Sequence, residues 1–117
     1  MSYTQEDYET AKELLLNHRG KGNEISSREI NKDVELDSVG SFPQTRKLVK
    51  DIMYQEQIPI IGGGNGYYVA ETEEELASYL ESLEGRIISN AERKMAVQRA
   101  ANQWRDEIEE DDDYDVL

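Results

Sequence analysis

IPIIGGGNGYYVAETEEEL, residues 58–76, is the stretch whose reading decides the fold. Two short runs rich in β-branched and aromatic residues, 58–61 (IPII) and 67–70 (YYVA), flank GGGNG. That pattern predicts a β-hairpin, with Asn65-Gly66 supplying the positive φ angles of its turn. Pro59 has no N–H to give to a neighbouring strand, so its run is expected on an edge. Thr72 followed three residues later by Glu75 is a capping-box pattern and marks the start of a helix directly after the hairpin.

Working outward, the same signature recurs at Thr4–Asp7, Ser26–Glu29 and Ser41–Gln44. In each, the hydroxyl accepts from one orphan N–H while the later side chain reaches back to another. Tyr3 with Tyr8, and Ile25 with Ile30, add hydrophobic staples to two of these starts. The expected helices run about 5–18, 27–34 and 42–56, with Pro43 in the first turn of the third. Their inner faces are Tyr8, Ala11, Leu14 and Leu15; then Ile30 and Val34; then Leu48, Val49, Ile52 and Met53. A fourth helix starts after Thr72 and continues to about Trp104, with Gly85 as a point where it kinks or ends.

Helix, helix, turn, helix, hairpin, helix is the order of a winged helix-turn-helix domain. ISSREIN at 25–31, QTRKLVKDIM at 44–53 and IPIIGGGNGYYVAETEEEL at 58–76 resemble the N-terminal DNA-binding domain of biotin-repressor-type regulators. They are similar, too, to small winged-helix proteins of phages and archaeal viruses. The resemblance covers residues 3–84 and implies an α+β, mainly α fold: three helices plus a β-hairpin wing, followed by a long C-terminal helix. It implies a viral or plasmid-borne transcription regulator, dimeric, acting on double-stranded DNA in the cytoplasm. One departure is ELDSVGSF at 35–42, several residues longer than the usual tight turn before the recognition helix, which implies an altered docking angle.

Charge is the obstacle to that reading. The 117 residues hold 26 acids against 13 bases, a formal net charge of -13, whereas DNA binders usually carry a basic footprint. The charge is unevenly placed. Residues 106–117 contain eight acids and no base, and this segment is expected to be a disordered tail. Residues 71–85 stand at -6, whereas 19–50 stand at +2 and 86–105 at +4. The remaining surface acid, with few lysines, suits a halophilic cytoplasm.

On the third helix Gln44, Thr45, Arg46, Lys47 and Lys50 are the expected DNA contacts, Gln and Arg toward base edges and Lys toward phosphate. Ser27 and Arg28 stand at a helix start, where anions are favoured. The wing tip contains no Lys or Arg, leaving backbone N–H groups, Asn65 and Tyr67 as its contacts. On the fourth helix, Leu76, Leu80, Leu83 and Ile87 step by 4, 3 and 4. Leu80, Leu83, Ile87, Val97 and Trp104 are the candidate homodimer seam. The expected divisions are 1–84, 85–105 and 106–117.

Other chemistries find no support in the residues. Zero Cys and one His speak against disulfides, thiolate sites and a His-rich metal centre. No catalytic group, metal, cofactor, small-molecule substrate or membrane span is expected. The alternative function is an acidic protein-interaction module or DNA-mimic inhibitor built on the same fold. Such a mimic should be acidic on its third helix, and 44–50 contains three bases and no acid.

Overall fold

The computed structural model describes residues 3–109 and 111–113. Its elements are α1 (Gln5–Leu16), α2 (Ser27–Val34), α3 (Pro43–Glu56), β1 (Ile60–Gly63), β2 (Gly66–Val69), α4 (Glu73–Gln103) and a 3-10 turn at Arg105–Glu107. The class is α+β and mainly helical, with one two-stranded antiparallel hairpin and a long C-terminal helix. The chain divides into two units, Met1–Tyr79 and Leu80–Leu117.

Capping chemistry sets three of the helix starts. Thr4 and Asp7 exchange bonds at α1, Ser26 and Glu29 at α2, and Thr72 and Glu75 at α4. Both staples are present in space: the Tyr3 and Tyr8 rings stack with centroids 6.3 Å apart, and Ile25 and Ile30 are both buried. Glu75 does more than its box requires, because it also accepts from the N–H groups of Lys21 and Glu71. This one carboxylate therefore ties the loop after α1 to the first turn of α4.

The fourth expected box is absent. Phe42, not Ser41, is the residue before α3, in the left-handed region at φ 56° and with no side-chain cap of its own. The orphan N–H groups of Gln44 and Thr45 go instead to the Asp37 carboxylate, at 3.1 and 2.9 Å. Ser41 Oγ accepts from the Arg46 guanidinium at 3.3 Å.

The core of the first unit gathers Tyr8, Ala11 and Leu15 from α1, Ile30 and Val34 from α2, and Leu48, Val49 and Ile52 from α3. Ile25 and Ile60 close it from the hairpin side. Each such aliphatic side chain contributes roughly 1.5–3 kcal/mol by leaving water. The expected inner faces are therefore the real ones, with Leu14 and Met53 partly covered at the margin.

The hairpin lies two residues further along than expected on its first strand, pairing Ile60 with Val69 through to Gly63 with Gly66. Ile60 N–H turns back onto the Ile58 carbonyl at 2.8 Å, so residues 58–59 lead into the strand. Of the turn dipeptide, only Gly66 has a positive φ, at 119°. Two segments outside the hairpin pair with β2. Ile25 and Tyr67 exchange N–H···O bonds at 2.8 Å each, and His18 and Gly20 bracket Val69 in the same way at 2.8 and 3.0 Å. This is why α1 stops at Leu16 rather than 18: the His18 carbonyl is needed by Val69 N–H.

Gly66 makes this junction possible. A Cβ placed there would stand 2.4 Å from the Ile25 carbonyl oxygen, well inside contact distance. Only a glycine lets the two backbones approach so closely.

In the second unit, α4 runs through Gly85 without ending. None of the described residues of this helix is buried. No helix is long and apolar enough to cross a membrane, among the described residues. Of the expected acidic tail, Asp106 and Glu107 lie in the 3-10 turn. Residues 110 and 114–117 lie outside the described residues.

Candidate nucleic-acid interface

α3 buries one side and presents the other. With Leu48, Val49 and Ile52 turned to the core, helical spacing leaves Gln44, Arg46, Lys47, Lys50 and Tyr54 exposed. Each cation is steadied by a neighbour. Arg46 donates to Ser41 Oγ, Lys50 Nζ stands 5.7 Å from the Tyr54 ring centroid, and Lys47 Nζ lies 3.4 Å from Asp51 and 6.0 Å from the Tyr3 ring. These are weak surface contacts of about 1 kcal/mol or less, so they orient the cations without immobilising them.

Lys47 has a competitor for any phosphate. A 2.6 Å bond from the Tyr3 hydroxyl holds the Asp51 carboxyl below its ordinary range, against burial, with Lys47 adding to the effect. Asp51 is therefore an anion at neutral pH and offsets part of the Lys47 charge.

Thr45 departs from expectation. It is fully buried, at 0% exposure, and its hydroxyl lies 2.9 Å from Asp37 Oδ2 and 3.1 Å from Asn31 Oδ1. A side chain so enclosed reads no base, and Thr45 is removed from the candidate contacts. Its position on the helix follows the apolar stripe: it stands three residues before Leu48, on the same face.

Asn31, Asp37 and Thr45 together close the connection between α2 and α3. Asn31 Oδ1 accepts from Leu36 N–H and Asp37 N–H at 2.9 and 3.0 Å, while its amide donates to the Asp37 carbonyl at 2.8 Å. Burial pushes the Asp37 carboxyl up, but the bonds from Thr45 N–H, Gln44 N–H and the Thr45 hydroxyl more than offset that, leaving it below its usual range. The long connection is thus pinned at its base, and Ser38 to Ser41 project from it, with Val39 81% exposed.

Around this face stand the remaining candidates. Arg28 is exposed at the first turn of α2, its guanidinium 5.5 Å from the Phe42 ring centroid, which places it beside the start of α3. Ser27 and Tyr67 are brought together by a 3.3 Å bond from the Ser27 hydroxyl to the Tyr67 hydroxyl. Both are half-buried, and Tyr67 packs against the core, so their first role is to fasten the hairpin to α2. Asn65 is exposed at the hairpin tip.

Two features of the site escape sequence patterns. Asp37 caps a helix from seven and eight residues upstream, outside the range of any capping motif. Tyr54 was detectable only as the position four residues after Lys50. Searches against protein-family models, curated proteins and solved structures return no match to this chain.

Proposed function

We propose that residues 3–79 are a winged helix-turn-helix DNA-binding domain, and that the chain regulates transcription. In this reading Gln44 and Arg46 reach base edges in the major groove. Lys47, Lys50 and Arg28 engage phosphate, and the wing offers Asn65 and backbone N–H groups.

The observation carrying the proposal is the Ile25–Tyr67 pairing. It roots the hairpin at the residue preceding the α2 cap, on the same unit whose α3 exposes three cations and no acid between residues 43 and 50. Helix, short paired segment, helix, turn, helix and hairpin then stand in winged-helix order. A DNA mimic would need acid on that α3 face, and the face is basic.

Electrostatics sets a quantitative expectation. Arg28, Lys47 and Lys50 neutralise at most three phosphates, giving a slope of log K against log salt of about -2.7. Gel-shift titrations on duplexes selected from a random pool, at several salt concentrations, test this. Lys47→Ala should lower the slope by about 1, and Arg46→Ala should cost roughly 1–3 kcal/mol and relax the preference at one base position. Equal, negligible binding by wild type and both variants at every salt concentration sinks the proposal.

A further inference from the structure

α4 is 31 residues long, and no side chain of it is buried. Helices in proteins owe most of their stability to packing an apolar face. This one carries Leu80, Ile87 and Val97 in the open, with Trp104 directly after its last residue; Ile87 is 67% and Trp104 62% exposed, and Leu83 is only half-covered.

The helix is polarised along its length. Residues 73–84 contain five acids and no base, while residues 86–105 contain five bases and one acid, Glu92. A second copy laid parallel sets acid against acid and base against base over the full length. Laid antiparallel in the register given below, Glu81 and Glu84 stand against the partner stretch that holds Arg99 and Arg105, while Glu73–Glu75 lie beyond the end of the partner's helix. Like charges held together are costly and opposite charges fix orientation. Asp106 and Glu107 do not continue this line, because they lie in the 3-10 turn that follows the α-helix.

The apolar seam selects the register. With seam positions taken in steps of 3 and 4, Asn90 and Lys94 interrupt an otherwise apolar row from Leu80 to Trp104. One antiparallel register sets Leu80 opposite Trp104, Leu83 opposite Ala101 and Ile87 opposite Val97. Asn90 and Lys94 then meet each other near the centre. A shift of one heptad sets Ile87 against Asn90 and Leu83 against Lys94, burying polar groups against aliphatic ones. We infer that the exposed face of α4 is covered by α4 of a second copy of this chain, antiparallel, with Leu83 beside Ala101 and Asn90 beside Lys94. The pairing is independent of DNA binding.

The native chain contains no cysteine, so single-cysteine full-length variants report orientation without background. Light scattering of the wild type should give twice the 13.5 kDa chain mass, and Ile87→Asp should return it to the single-chain value. Leu83→Cys and Ala101→Cys chains, mixed and oxidised, should yield chiefly the mixed disulfide. A wild-type monomer overturns the inference. So does a predominance of Leu83→Cys homodisulfides, which marks a parallel pair. If Ile87→Asp fails to fold, the cross-linking result decides alone.

Discussion

Replacing Asp37 by alanine removes three bonds at once: those from Gln44 N–H, Thr45 N–H and the Thr45 hydroxyl, at 3.1, 2.9 and 2.9 Å. The hydroxyl keeps an acceptor in Asn31 Oδ1, so its loss is small. The two N–H groups are helix-start orphans, and losing their cap costs about 0.5–2 kcal/mol. Thr45 N–H belongs to a fully buried residue, and leaving it without a partner adds about 1–3 kcal/mol if water does not enter. The expected destabilisation is therefore about 2–4 kcal/mol, measured by urea unfolding as a lower midpoint with an unchanged slope. Asp37→Asn retains one acceptor oxygen and should lose less. The pair also makes a pH prediction. The folded-state pKa of Asp37 is depressed, so its stabilisation is present above the unfolded-state value near 3.9 and is lost as pH falls through the lower folded value. The gap between wild type and Asp37→Asn should accordingly be widest near neutrality and close below about pH 4. A change under about 0.5 kcal/mol for Asp37→Ala, within the scatter of ordinary surface substitutions, would falsify the claim that Asp37 caps α3.

Three further outcomes follow from the same geometry. Gly66→Ala should cost more than about 2 kcal/mol in thermal or urea unfolding, because its Cβ meets the Ile25 carbonyl at 2.4 Å and its φ is 119°. Gln57→Gly should stabilise by roughly 0.5–1 kcal/mol, since Gln57 ends α3 in the left-handed region at φ 55°, which glycine adopts without strain. Burial and the 2.8 Å bond to Glu56 push the Tyr8 hydroxyl up to about 12. Its folded pKa is raised, so its contribution is intact below about pH 10 and lost as pH rises toward 12; Tyr8→Phe should abolish this part of the alkaline instability.

How far the sequence discloses this molecule depends on the range of each interaction. Thr4, Ser26 and Thr72 announce their helices because the partner is three residues away, and apolar spacing then predicts Leu15, Ile30, Leu48 and Ile52 as core. Ser41–Gln44 has the same letters, yet the N–H groups it would serve belong to Asp37, held in place by Asn31. A local motif gives no sign of a competitor that folding brings in from elsewhere. Thr45 was misplaced for a related reason: polar residues are assigned to solvent, and only the Asn31 and Asp37 oxygens make its burial affordable. Within the candidate interface, the exposed cations of α3 were readable from helical spacing alone. The Ile25–Tyr67 pairing that places the hairpin beside α2 was not, because a single paired residue carries no periodicity.

That pairing also bears on the order in which the protein assembles. A two-stranded hairpin alone is marginal in water. Here Ile25 and the residues around Arg19 pair with the open side of β2 from 42 and 50 residues away. The hairpin can form its full set of bonds only once α1 and α2 have brought these segments together, so it should close late in folding. Once closed, the Tyr67 and Val69 amides, both donated inward at 2.8 Å, are released by opening of the whole unit rather than by fraying. In deuterium exchange they should rank with the slow core amides of α3, an uncommon standing for residues at the base of an exposed loop.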